Sequence, residues 1–65
     1  MNYRREFADA FASWCVANDP DTQEQGYESL YQWGIEFPAD AWDYLSFQKQ
    51  VETKHICRAF VGVLD

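Results

Sequence analysis

YRREFADAFASWCVA, residues 3–17, carries the reading on which the fold depends. Its apolar members Tyr3, Phe7, Ala10, Phe11, Trp14 and Cys15 recur at i, i+4, i+7, i+8, i+11 and i+12. That spacing is one stripe at the 3.6-residue period of an amphipathic helix. Asn2 is placed to cap it, and Glu6 and Asp9 fall in the early turns, where the helix dipole favours acids. Asn18-Asp19-Pro20 ends it.

Working outward, a second helix is expected over about residues 21–33. Asp21 and Glu24 have the spacing of a capping box, while Asp19 followed by Pro20 offers an alternative start. Its apolar members are Tyr27, Leu30, Tyr31 and Trp33, with Gly26 as a weak point. Gly34-Ile35 fits a left-handed C-terminal stop. After the linker Glu36-Phe37-Pro38, Pro38 opens a third helix reaching about residue 52. Ala41, Trp42, Leu45 and Val51 are its buried candidates, with Tyr44 and Phe47 near the edge. Ile56, Ala59, Phe60, Val63 and Leu64 repeat at helical spacing, yet Phe60–Leu64 is also rich in strand formers; helix is favoured and strand stays open. The expected fold is all-α, a compact bundle of three to four short helices forming one acidic domain over residues 1–65.

A 65-residue domain buries only about 60% of its unfolded surface, so its stability is marginal. Three Trp, four Tyr and five Phe compensate with bulk. They exceed what a small core needs, so some are expected on the surface, where rings with a polar rim make binding sites. Phe7, Phe11, Trp14, Leu30, Trp42, Leu45 and Phe60 read as core.

Catalytic chemistry finds no foothold. His55 is the one histidine, and it has no partner at metal-ligand spacing with Cys15 and Cys57. On a helix, His55 and Cys57 would point about 200° apart, a poor nucleophile–base pair. There is no glycine-rich phosphate loop and no calcium loop. No catalytic residue, metal or cofactor is therefore expected, and the protein reads as a binder rather than an enzyme. Two cysteines without a secretory framework read as reduced core thiols rather than a disulfide. No apolar run reaches the ~20 residues of a membrane span, and the N-terminus shows no signal-peptide core; a cytoplasmic location is the expectation.

Charge is the most unusual feature. Residues 1–5 carry +2, residues 6–48 carry −9, and residues 49–65 carry +1, for a total of −6. Over the 43 positions from Glu6 to Gln48 there is no Lys, Arg or His. Asp21, Glu24 and Glu28 are spaced 3 and 4; Glu36, Asp40 and Asp43 are spaced 4 and 3. On continuous helices each trio would line one face, at a repulsion of a few tenths of a kcal/mol per neighbouring pair. Interspersed lysines would serve local stability better, and there are none. A solvated acidic face that keeps a small protein dispersed is the plain alternative. The functional alternative is a surface that docks a basic groove through Asp19, Asp21, Glu24, Glu28, Glu36, Asp40 and Asp43. Tyr27, Tyr31, Trp33, Tyr44 and Phe47 lie near these acids in sequence; core is the plainer reading of each, and the functional one, taken for Tyr27, Tyr31 and Tyr44, is that a ring beside a carboxylate holds arginine by ion pairing with cation–π contact. The expected partner is a basic protein or nucleoprotein complex, not nucleic acid or membrane directly. A monomer is the working expectation.

A DNA duplex shows one negative charge per ~1.7 Å of axis, and one helical stripe shows one per ~5.4 Å. A single stripe is threefold too sparse to imitate DNA; two or three converging on one face approach it. In length, acidity and aromatic richness the chain resembles the small acidic inhibitors encoded by phages and mobile elements, above all the anti-CRISPR proteins. The similarity is one of overall character across the whole chain, to type I inhibitors with type I-C as the narrower suggestion, and it transfers no residue-level site. It implies an inhibitor that mimics DNA and blocks the basic channel of a CRISPR surveillance complex. An immunity-type or antitoxin-type partner of a basic toxin, and an adaptor that binds through its aromatics, are the alternatives.

Overall fold

The computed structural model describes the backbone over residues 3–49 and side chains over residues 4–45. The described residues form an all-α bundle of three helices: α1 (Tyr3–Asn18), α2 (Tyr27–Glu36) and α3 (Pro38–Lys49), with a 3-10 turn at Gln23–Gln25 between the first two. The Asn2 cap, Val51, Cys57, Phe60, the end of the third helix at residue 52 and the helix-or-strand segment 55–64 lie outside the described residues, as does the Phe47 side chain.

In α1 the stripe expected from the sequence is rotated by the alanines. Phe7, Ala8, Phe11, Ala12 and Cys15 are fully buried, while Ala10 and Trp14 are only partly so. Small residues on that face let α2 approach closely, and α1 and α2 form the most extensive packing in the bundle. Leu30 of α2 and Ala41 and Leu45 of α3 complete the core. A run of rings crosses all three helices. Phe7 stacks on Phe11 at 5.9 Å, Phe11 meets Trp33 edge-on at 5.3 Å, and Trp33 meets Tyr44 edge-on at 6.0 Å. Each such pair adds about 0.5–1.5 kcal/mol beyond the area it buries. Cys15 is a buried free thiol, pushed up to about 11 by burial, with the neighbouring Thr22 hydroxyl working the other way, so it stays protonated and inert near neutral pH.

The helix ends depart from expectation in two places. The second helix begins at Tyr27, not near Asp21, and Asp21–Glu24 form no capping box. Gly26 intervenes with φ 87° and ψ 158°, a backbone region open essentially to glycine alone. Its carbonyl accepts the first α2 bond from the Leu30 N–H at 3.2 Å. Gly34 is not a left-handed stop either; it lies inside α2 and is buried. The helix runs on to Glu36 and stops at Phe37, whose φ is −133°. The Phe37 carbonyl accepts from the Ala41 N–H at 3.0 Å, and Pro38 takes the first position of α3, as its missing N–H and fixed φ favour.

Gly26→Ala is expected to destabilise the protein by about 1–3 kcal/mol, since a side chain there meets open space but the wrong backbone conformation. Urea unfolding checks it; a variant as stable as the parent would show that the junction relaxes without strain.

Candidate acidic docking site

Position along the helices decides where the acids go. Gly26 separates Glu24 from Glu28, and Phe37 separates Glu36 from Asp40. Neither expected trio therefore lies on one continuous helix, and the in-register stripes do not form.

Asp19 and Tyr44 also depart from the expected partner surface. Asp19 is 6% exposed, and its carboxylate is used inside the protein. The Asp21 N–H donates to Oδ1 at 3.1 Å, the Thr22 hydroxyl donates to Oδ2 at 2.9 Å, and the Tyr44 hydroxyl donates to the same Oδ2. The Asp19 N–H closes α1 on the Cys15 carbonyl at 2.9 Å, which turns the side chain inward. This is a turn device of Asp near Pro, recruited to tie the α1 corner to α3. Burial opposes ionisation of Asp19, but the bonds from Tyr44, Thr22 and the Asp21 backbone outweigh it and hold the carboxyl below its usual range. Burial, and then the bond to Asp19, raise the Tyr44 phenol above the ordinary tyrosine range.

The remaining predicted acids, Asp21, Glu24, Glu28, Glu36, Asp40 and Asp43, are exposed. Glu36 accepts a 2.7 Å hydrogen bond from the Gln32 side chain one turn earlier. Glu28 and Asp40 occupy first turns, where the dipole contributes about 0.3–1 kcal/mol each. No basic residue stands in the last turn of α1 or α2, so the charge pattern is one-sided even locally.

What the fold does bring together is a groove of about 1020 Å³ between α1 and α2. Arg5, Glu6 and Asp9 line it from α1; Tyr27, Glu28, Ser29, Tyr31 and Gln32 line it from α2. Tyr27 and Tyr31 stack at 5.7 Å and 26°. The Tyr27 hydroxyl donates to Asp9 Oδ1 at 2.5 Å, bridging the two helices. That hydrogen bond, with burial and the Asp9 charge behind it, pushes the Tyr27 phenol up to about 12. Tyr27 therefore stays a neutral donor at physiological pH, and the groove's negative charge is carried by Glu6, Asp9 and Glu28. Of the site residues expected from sequence, Tyr27, Glu28 and Tyr31 meet here. In the sequence Glu6 and Asp9 read as early-turn acids. Their 3-residue spacing was visible, but the pairing of Asp9 with Tyr27, 18 residues away, has no local signature.

No protein-family model, curated protein or solved structure matches the chain. Among the described residues, no group of His, Cys, Asp and Glu is arranged to hold a metal ion, and no helix is long and apolar enough to cross a membrane.

Proposed function

We propose that the protein is an inhibitor that docks on a basic, nucleic-acid-binding groove of another protein and excludes the nucleic acid from it. The observation that carries this reading is the 43-residue stretch without a cation, folded so that eight of its nine acids are exposed on the three helices and on the connection between α1 and α2. Two of the eight, Asp9 and Glu36, accept a side-chain hydrogen bond. The in-register stripes that would imitate a duplex do not form, so the support is the net negative charge itself, which steers a protein toward a positive cleft without any particular pattern. A CRISPR surveillance complex, with its basic channel for target DNA, is the version of this target that the chain's overall character suggests.

The test is capture of partners on immobilised protein from a lysate of the cells in which it acts, washed at rising salt and then challenged with duplex DNA. The expected partner is a basic nucleic-acid-binding protein whose affinity falls at least about tenfold between low and high salt, as screened charge pairs require, and which duplex DNA displaces. Neutralising Asp21, Glu24 and Glu28 together to Asn or Gln should weaken capture without unfolding the protein. Retention indifferent to salt, to DNA and to these substitutions would count against the proposal and favour an adaptor that binds through its aromatics.

A further inference from the structure

We infer that the groove between α1 and α2 is an arginine-reading subsite, which receives a guanidinium-bearing peptide segment of a basic partner. The inference rests on the proposed docking to a basic protein and names the chemistry it recognises. The groove combines two features that sequence position alone does not unite. One is the stacked pair Tyr27–Tyr31, from α2, with Tyr27 41% exposed. The other is the set of carboxylates Glu6 and Asp9, from α1, and Glu28, from α2. With Arg5 also in the lining, its formal charge is −2 (three acids against one cation), complementary to a cationic occupant.

A planar guanidinium fits both features at once. It lies against a tyrosine face while its fork of N–H donors meets carboxylate oxygens in pairs. An ammonium is a compact, strongly hydrated point charge and gains less from the ring. The Tyr27–Asp9 bond presets the site. It fixes the ring and orients the carboxylate before any ligand arrives, so less order is lost on binding. At about 1020 Å³ the groove is at the upper end of the ~300–1,000 Å³ typical of ligand sites, room for a short peptide stretch rather than one side chain.

Terminally blocked octa-arginine and octa-lysine, titrated calorimetrically into the intact protein at low salt, are the probes. The arginine peptide is expected to bind about tenfold more tightly than the lysine peptide. Tyr27→Leu with Tyr31→Leu should abolish that preference and leave lysine-peptide binding in place. Glu6→Gln with Asp9→Asn and Glu28→Gln should weaken both peptides. Because Tyr31 packs against the core, ring-proton shifts of the unaltered protein provide a readout free of folding effects: Tyr27 and Tyr31 should move on adding octa-arginine. Equal affinity for the two peptides, a preference that survives loss of both rings, or unmoved ring signals would overturn the arginine site and leave docking to a basic partner standing. Binding of neither peptide would overturn both.

Discussion

Asp19→Ala is expected to cost about 2–4 kcal/mol, since a carboxylate that accepts three hydrogen bonds is lost and a buried hydroxyl is left without its acceptor. The carboxylate has three donors, and bonds to a charged acceptor contribute about 1.5–3 kcal/mol each before neighbours readjust. Its loss leaves the Thr22 hydroxyl buried and the Tyr44 hydroxyl half-buried without their acceptor. At roughly 0.05–0.15 kcal/mol per residue, a chain of this length holds only about 3–10 kcal/mol in total, so the variant should stand at the edge of unfolding. Asp19→Asn should cost less, because the amide oxygen can still accept from the Asp21 N–H. The same residue sets an acid limit. Its folded pKa lies below the unfolded value of about 3.9, so its contribution is complete above that value and is lost as pH falls through the folded pKa. Urea midpoints measured across the acid range should fall for the parent, and the Asn variant should lack that portion of the fall. An Ala variant with the parent's midpoint would show that the network is ornamental.

Asp19 also shows how a charge read along a sequence can mislead. Nine acids in a cation-free run look equivalent when counted, and only the turn that brings Tyr44 across 25 positions separates the buried one from its exposed neighbours. A local hint existed. Asp19-Pro20-Asp21-Thr22 is a sequence in which an Asp side chain bonds to its own turn, and the observed Asp19–Asp21 and Asp19–Thr22 bonds are of that kind. Reading it required preferring the turn over the helix start that Asp21 and Glu24 also fit.

Helices were legible where periodicity and proline agreed. Helix α1 stops within one residue of its expected end, and Pro38 opens α3. Glycine was where legibility stopped, because glycine has two unrelated uses. Gly26 is required by backbone conformation, Gly34 by lack of a side chain, and the sequence shows the same letter for both. Reversing those roles moved the start and the end of α2 and put the acidic trios on faces that do not exist. The groove was half visible: Tyr27, Glu28 and Tyr31 share a helix and were expected to act together. Its other wall depends on the close approach of α1, which no spacing within α2 encodes.

That close approach makes Gly34→Leu the most damaging substitution expected in α2. A Cβ at Gly34 would lie 3.0 Å from the Ala8 Cα, 3.1 Å from the Ala8 Cβ and 3.6 Å from Phe11 Cδ2. The nearest of these is backbone and cannot yield without moving α1 itself. Gly34→Ala sets two effects against each other: about 1 kcal/mol gained in helix propensity and about 1–3 kcal/mol lost to overpacking. The contact distances favour net loss. Leu extends the intrusion toward Phe11, through which the rings of α1 and α2 meet, and should cost about 3 kcal/mol or more. Ala8→Gly combined with Gly34→Ala should recover only part of the loss. It removes the 3.1 Å contact with Cβ but keeps the 3.0 Å contact with Cα. The groove supplies a second readout, because Tyr27 and Asp9 bond only while α1 and α2 keep this separation. A Gly34→Leu protein that melts with the parent and still binds a basic peptide would show that the helices can part here without loss, and that the α1–α2 seam is not what shapes the site.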